Sequence, residues 1–394
     1  MKRLIFVLIT AVSFSQSVTK SIALLPDTGQ TASYTNTFGE DNDYSINTPS
    51  YTNNGNGTIT DTVTGLMWQQ VDGGEMTIEN ATSYCDGLVL GGFSDWRLPT
   101  PLEAFSLQIL QNNNPAMNTT YFTASAAEYW WTSKFQAGDN TKVWCTNAGG
   151  GIGNHPKSET ISAGGTKRFH VRAVRDMVPS IVLANHFTDN GDGTITDNLT
   201  QLTWQKVPNA SAMTWEQALT YAEGLTLGST SDWRLPNIKE LQSLNDESVT
   251  NPSVNTAFFG SIGVKNYWSS TTLKPNTTNP SSAWYWNTQF GITTYDVKAN
   301  SNYVICVRGN PSTLNNATVI QEDHSFKVFP NPFQSKINVS NTLGNEYFEL
   351  FDESGKQLYA GKNISKQDFS SLAKGIYILK IISNIVTRSK LIKE

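Results

Sequence analysis

The chain has 394 residues, with 28 Lys and Arg against 33 Asp and Glu, a formal net charge of −5 and 11% aromatic residues. At about 100–200 residues per domain, this length predicts two to four domains. The acidic balance lacks the basic signature of nucleic-acid-binding proteins, so nucleic acid is not an expected partner.

The first residues carry the pattern of an export signal. Met1-Lys2-Arg3 precedes an apolar run from Leu4 to Val12 and then small residues, which is typical of a secretory signal peptide. We predict this signal peptide over residues 1–15. No later stretch reaches the about 20 apolar residues of a membrane helix, so none is expected in the mature chain. Residues 16–50, rich in Thr, Asn and Ser, are predicted to be an extended lead-in, at most partly ordered.

One sequence pattern then occurs twice, over residues 51–177 (repeat 1) and 187–309 (repeat 2), with a linker at 178–186. The stretch Ser-Asp-Trp-Arg-Leu-Pro appears at 94–99 and again at 231–236, and a hairpin pattern ending in Gly-Thr-Ile-Thr-Asp recurs at nearly the same offset. A near-constant offset over this length indicates a duplicated domain.

Each repeat predicts the same series of elements. A hairpin comes first, because Asn-Gly is a strong turn signal. A capped helix, the Trp-Arg-Leu-Pro turn, a second capped helix and several short strands follow. The residues that open these elements are Asn54-Gly55 and Asn190-Gly191 for the turns, Thr77 and Thr214 for the first helices, and Thr100 and Asn237 for the second. Helices flanked by short strands predict an α+β fold.

The C-terminal part has a different composition. An Asn/Thr/Ser linker at 310–324 precedes a series of short alternating strands over residues 325–394. Short strands separated by turn residues predict a small all-β sandwich.

Both repeats resemble the family of Lcl C-terminal domains, named for collagen-like bacterial adhesins. The matching features are the Asn-Gly hairpin, the Leu-x-Trp-Gln strand, Ser-Asp-Trp-Arg-Leu-Pro, a Tyr-Trp-x-Ser type strand and a closing Val-Arg. That family is similar in turn to the C-type-lectin-like fold shared with formylglycine-generating enzymes. The resemblance implies two tandem C-type-lectin-like domains that recognise glycans or matrix polymers.

Residues 325–394 resemble the C-terminal sorting domain of the type IX secretion system. The matching features are Phe329-Pro-Asn-Pro332, Gly355-Lys356, Gly375-Ile-Tyr377 and the terminal Lys390–Lys393. The resemblance implies that the type IX machinery of a bacterium of the Bacteroidetes type handles this segment. It also implies that the protein is secreted or delivered to the outer-membrane surface, where such domains are usually removed.

Six residues are candidates for ligand binding: Arg97, Trp144, Arg234, Trp284, Tyr285 and Trp286. Ring faces can stack on sugars, and Arg can bind sulfate or carboxylate in a bidentate manner. Alternation along a strand places Trp284 and Trp286 on one face and Tyr285 on the other, and one of these faces must be core. The alternatives are therefore aromatic core anchors and arginines that fix loop carbonyls.

Asp189, Asp192 and Asp197 could hold calcium, the one cofactor considered. An EF-hand loop needs ligands at alternate positions and a closing Glu, but Gly191 and Thr200 occupy two of those positions. A plain hairpin turn is the alternative. In an exported chain, Cys85 could form a disulfide with Cys145, or no bridge could form at all.

These features favour a binding or adhesion protein for an extracellular polymer, with polysaccharide as the first candidate and two repeats that raise avidity. The alternative is a structural protein-interaction module of the cell envelope. A weaker alternative is a formylglycine-enzyme-like oxidoreductase, because the three cysteines do not supply a matched pair in either repeat. An enzyme is not expected.

Overall fold

A computed structural model describes residues 18–123, 125, 127–158, 169–274, 280–309, 327–340, 346–352, 356–382 and 386–394. The chain divides into two compact units between Leu314 and Asn315. The predicted signal peptide, 1–15, and the predicted linker, 310–324, lie outside the described residues.

The elements of the first unit follow the two repeats. Its helices are α1 (Ile78–Asp86), α2 (Pro101–Ser106), α3 (Trp215–Glu223) and α4 (Ile238–Ser243), with a 3-10 helix at Asp41–Asp43. Its strands are β1 (Val18–Lys20), β2 (Tyr51–Asn53), β3 (Thr58–Asp61), β4 (Leu66–Gln69), β5 (Tyr129–Gln136), β6 (Asp139–Asn147), β7 (Ile152–Pro156), β8 (Phe169–His170), β9 (Val174–Asp176), β10 (Ile181–Leu183), β11 (Phe187–Asp189), β12 (Thr194–Asp197), β13 (Thr203–Gln205), β14 (Asn266–Thr272), β15 (Ser282–Asn287), β16 (Ile292–Val297) and β17 (Val307–Arg308).

A hairpin opens each repeat, as predicted. β2 pairs antiparallel with β3 across residues 54–57, and β11 pairs with β12 in the same way. Gly55 and Gly57 have φ angles of 73° and 84°, a left-handed conformation that glycine adopts without steric cost. The loop therefore contains the predicted Asn54-Gly55 pair but is longer than a two-residue turn. Each hairpin extends into a four-stranded sheet, in the order β2-β3-β4-β9 and β11-β12-β13-β17.

The helices begin where local capping chemistry places them. The Thr100 hydroxyl accepts a bond from the Glu103 N–H at 3.3 Å, and the Thr100 N–H donates to Glu103 Oε2 at 2.8 Å. This reciprocal pair satisfies two N–H groups that would otherwise lack partners at the start of α2. The observed N-caps are the predicted residues Thr77, Thr100, Thr214 and Asn237.

A second sheet completes each repeat, in the order β7-β6-β5-β8 in repeat 1 and β14-β15-β16 in repeat 2. The unit is largely β with short helices, which agrees with the predicted α+β class at that level; the C-type-lectin-like detail stays a prediction. One hydrophobic core contains residues of both repeats, including Trp144 and Ile152 with Ile238 and Trp284. The two repeats therefore form one packed unit.

The lead-in is ordered where it is described, so the prediction of a partly ordered segment is wrong there. Ile22 and Leu25 are buried in the core of repeat 1, and β1 pairs with β10, which lies inside the predicted linker 178–186. The lead-in has few apolar residues, and buried hydrogen bonds also hold it in place. Asp41 Oδ2 accepts bonds from Thr28 Oγ1 at 2.7 Å and Thr271 Oγ1 at 2.5 Å. Buried polar groups require such partners, and here one of the two, Thr271, lies 230 residues away in the chain.

The second unit is the predicted small β structure. Its strands are β18 (Lys327–Phe329), β19 (Asn338–Ser340), β20 (Tyr347–Asp352), β21 (Gln357–Gly361), β22 (Gly375–Ile382) and β23 (Val386–Lys393), with a 3-10 helix at Ile364–Lys366. They form a two-stranded sheet, β18-β19, and a four-stranded sheet, β21-β20-β22-β23. Phe333, Leu350 and Leu379 are fully buried in its core.

Across the described parts of both units, the helices are too short or too polar to cross a bilayer.

Candidate functional site

The two predicted arginines have different surroundings. Arg234 is buried and donates to Glu240 with both terminal guanidinium nitrogens, at 2.7 and 2.6 Å. Arg97 makes the equivalent bonds to Glu103 and a further one to Asp176 at 2.7 Å, but its side chain is 33% exposed. Because carboxylates of the protein already occupy both guanidinium groups, the prediction that they bind an external anion is wrong for the buried Arg234 and has no support at Arg97.

The lead-in covers Arg234. The guanidinium carbon lies 5.4 Å from the centre of the Tyr44 ring, and the Tyr44 hydroxyl donates to Glu223 Oε1 at 2.6 Å. Burial, followed by the bond to Glu223, raises the pKa of Tyr44. Repeat 2 is therefore closed at this point by a segment of its own chain.

The corresponding surface of repeat 1 is open. A groove of about 580 Å³, here called the open groove, lies beside Arg97. Its lining includes Thr82 and Asp86 of α1, Lys134 and Phe135 of β5, and Glu103 and Asp176. Phe135 is 44% exposed. Sequence reasoning missed Lys134 and Phe135, because neither lies in a repeated motif.

The predicted aromatic platform is wrong in its main members. Trp144, Trp284 and Trp286 are 1%, 4% and 0% exposed, and all three belong to the core that joins the repeats. That core contains residues of both repeats, so the sequence of one repeat alone does not show which rings it covers. Tyr285 lies on the opposite strand face, as the alternation predicted, and it packs edge-on against Trp268 at 6.3 Å.

A different ring is exposed at the junction of the repeats. Tyr295 of β16 is 55% exposed, and its ring is nearly perpendicular to that of Trp284, with ring centroids 5.9 Å apart and an interplanar angle of 83°. It borders a groove of about 300 Å³, here called the junction groove. The other lining residues are Asn113, Asn147, Gly149, Leu273, Lys274, Trp284, Thr293 and Thr294. Sequence reasoning missed Tyr295, although its place on a strand beside Trp284 was a usable signal.

The three candidate calcium ligands do not converge. Asp189 pairs with Lys206, Asp192 accepts bonds from the backbone and hydroxyl of Thr194, and Asp197 is buried and accepts from Thr200. Among the described residues, no group of three or more His, Cys, Asp or Glu side chains is placed to hold a metal. These contacts favour the hairpin-turn interpretation of the motif.

The cysteines are buried thiols, so the disulfide considered between Cys85 and Cys145 is not formed. Both residues lie in the same core cluster of repeat 1, where they pack as small apolar side chains. Burial, with a smaller contribution from Asp86, raises the pKa of the Cys85 thiol to about 12. A thiol with a raised pKa is a poor nucleophile and a poor metal ligand.

Asp72 organises a buried polar cluster in repeat 1 that sequence reasoning missed. His170 Nδ1 lies 2.9 Å from Asp72 Oδ1, and the Ser125 hydroxyl donates to Asp72 Oδ2 at 2.5 Å. Burial alone would raise the pKa of Asp72, but these bonds and the charge of Arg172 lower it. A Ser–His–Asp relay requires the hydroxyl to face the imidazole, whereas Ser125 faces the carboxylate.

Two segments of the chain, residues 57–175 and 193–308, match the family described as Lcl C-terminal domain. Together they cover more than half of the 394 residues, so the chain belongs to this family. Residues 327–394 match the secretion system C-terminal sorting domain. The protein is therefore exported by type IX secretion to the cell surface or the medium.

No curated protein matches the chain. Among solved structures, it is similar to PorZ, a bacterial surface component of the type-IX secretion system of Porphyromonas gingivalis, with 14% identity and a TM-score of 0.17. The match covers 67% of this chain and 30% of the PorZ chain. At that score the likeness supports no conclusion about fold or function.

Proposed function

We propose that this member of the Lcl C-terminal domain family is an exported binding protein that recognises an extracellular polysaccharide at the junction groove. The observation that carries the proposal is the exposed ring of Tyr295, which packs against Trp284 in a T-shaped arrangement. An aromatic ring held at a fixed angle presents an apolar face for the C–H surface of a sugar at little cost in conformational entropy.

Polar groups around the ring suit the hydroxyl groups of a sugar. The side chains of Asn147, Thr293 and Thr294 line the groove with Tyr295. Asn147 Oδ1 accepts bonds from Gly149 N at 2.9 Å and Gly151 N at 3.2 Å, so the amide is held in place. Lys274 adds a positive charge, which favours a sulfated or carboxylated polymer.

The groove needs both repeats, since Asn147 belongs to repeat 1 and Tyr295 to repeat 2. One chain would therefore carry one such site, rather than one site in each repeat. This arrangement replaces the earlier expectation of paired sugar sites with a single composite site.

The test is the binding of the purified mature chain to a panel of neutral and sulfated polysaccharides. Tyr295→Ala should weaken binding at least tenfold, whereas Tyr295→Phe should retain it because the ring remains. Val297→Ala, an exposed site on the same strand, is the matched control. No binding anywhere on the panel, or equal binding by wild type and Tyr295→Ala, would contradict the proposal.

A further inference from the structure

The two repeats use the same surface in different ways. In repeat 2, Thr271 and Thr272 of β14 are 0% exposed beneath the lead-in, and the space left beside Glu240 is about 20 Å³. In repeat 1, the corresponding Lys134 and Phe135 of β5 are exposed, and the space is about 580 Å³.

Equivalent hydrogen bonds in repeat 1 and repeat 2 establish this correspondence between the two surfaces. The indole of Trp131 donates to the carbonyl of Met76 at 2.8 Å, and the indole of Trp268 donates to that of Met213 at 3.0 Å. The carbonyl before each second helix also accepts from the same strand position, Ser133 in repeat 1 and Ser270 in repeat 2. β5 and β14 are thus in register, and so are the surfaces around them.

Repeat 2 holds the lead-in by contacts typical of peptide recognition. The Gln30 amide donates to the Thr272 carbonyl at 2.5 Å and accepts from the Thr272 N–H at 3.2 Å. The Asp41 carboxylate accepts from the Thr271 hydroxyl, and Tyr44 reaches Glu223 and Arg234. In each of these contacts the lead-in uses its own side chain, so the contacts are selective for its sequence.

Two of these contact points have an open counterpart in repeat 1. Asp86 occupies the position equivalent to Glu223 and can accept a hydrogen bond from a tyrosine hydroxyl. Lys134 occupies the position equivalent to Thr271 and provides a positive charge that can bind a carboxylate. We infer that the open groove binds an extended segment of another polypeptide, one that carries a carboxylate and, three residues later, a tyrosine.

Two differences from repeat 2 shape this preference. Asp176 takes the place of Gly309 and pairs with Arg97 at 2.7 Å, so the ligand need not supply an anion at the guanidinium. Lys134 therefore becomes the cation that attracts the ligand's carboxylate. A second copy is disfavoured as the source, because its own lead-in is fixed in its own repeat 2 with Asp41 buried.

The probe for this site is a fluorescent synthetic peptide with the sequence of residues 30–46, which contains Asp41 and Tyr44. We expect saturable binding to the mature chain by fluorescence anisotropy. Lys134→Glu should weaken it at least tenfold, and Tyr44→Ala in the peptide should weaken it as well. Lys142→Glu, at a partly exposed lysine of β6 outside the groove, is the matched control.

A charge swap makes the test specific. A peptide with Asp41→Lys should bind poorly to the wild type and regain affinity for Lys134→Glu. No binding up to millimolar peptide would overturn the inference, and so would equal binding by wild type and Lys134→Glu, since the peptide would then be displacing the lead-in from repeat 2. If the wild-type chain self-associates and Lys134→Glu abolishes this self-association, the ligand of the groove is a second copy of the chain, and the inference is overturned. Polysaccharide binding through Tyr295 is a separate measurement at another site, so the two proposals fail independently.

Discussion

Replacing Arg234 by alanine tests whether the closed site of repeat 2 differs energetically from the open site of repeat 1. Arg234 and Glu240 have side chains that are 5% and 3% exposed. Without the guanidinium, the Glu240 carboxylate keeps the bond from the Asn237 N–H at 2.9 Å but loses its counterion. Removing one partner of a buried ion pair costs about 3–5 kcal/mol.

Arg97→Ala is the paired variant in repeat 1. Glu103 is also buried, but the Arg97 side chain is 33% exposed, and water can enter from the open groove to solvate the carboxylate. A buried acceptor left unsatisfied costs about 1–3 kcal/mol, so Arg97→Ala should destabilise the protein less than Arg234→Ala. Arg308→Ala is the matched control, because the side chains of Arg308 and its partner Asp232 are 30% and 55% exposed. This control should cost under about 1 kcal/mol.

The assay is urea and thermal unfolding followed by tryptophan fluorescence. All eleven Trp residues lie between positions 68 and 286, so the signal reports the first unit. At about 2–4 °C per kcal/mol, Arg234→Ala should lower the melting temperature by roughly 6–20 °C. If Arg234→Ala costs no more than Arg308→Ala, the reasoning about the closed site is refuted.

Three further predictions concern the same unit. Burial, followed by the charge of Asp27, raises the pKa of Asp41 well above its ordinary value of 3.8. The folded chain therefore binds this proton more tightly than the unfolded chain, and its stability falls as the pH rises above about 4. The urea midpoint of Asp41→Asn should therefore rise relative to that of wild type between pH 4.5 and pH 7.5. A difference between the two midpoints that does not change with pH would contradict this. Gly150→Ala should cost about 1–3 kcal/mol more than Gly138→Ala, since both have positive φ but only a Cβ at Gly150 would lie 2.5 Å from Leu110; equal urea midpoints would argue against it. Calcium and EDTA should leave the melting temperature unchanged, because Asp189, Asp192 and Asp197 are bonded to protein groups, and a calcium-dependent rise would restore the metal site.

Local chemistry explains which features the sequence predicted well. Thr100 and Glu103 are three residues apart and cap α2 through bonds to each other, so their spacing in the sequence predicts where this helix begins. The Asn-Gly hairpins, the period-two alternation of Trp284, Tyr285 and Trp286, and the sorting domain are likewise readable from neighbouring residues.

Tertiary packing decided the rest. Asp41 bonds to Thr271, 230 residues away. The composition of the lead-in is typical of a disordered segment, and no local sequence pattern predicts such a distant partner. The alternation of the tryptophans predicted two strand faces, but only the packing of repeat 1 against repeat 2 buries both Trp144 and Trp284 in one core. The two repeats have nearly the same sequence motifs, yet one groove is filled and the other is open, because Gln30, Asp41 and Tyr44 of the single lead-in bind repeat 2.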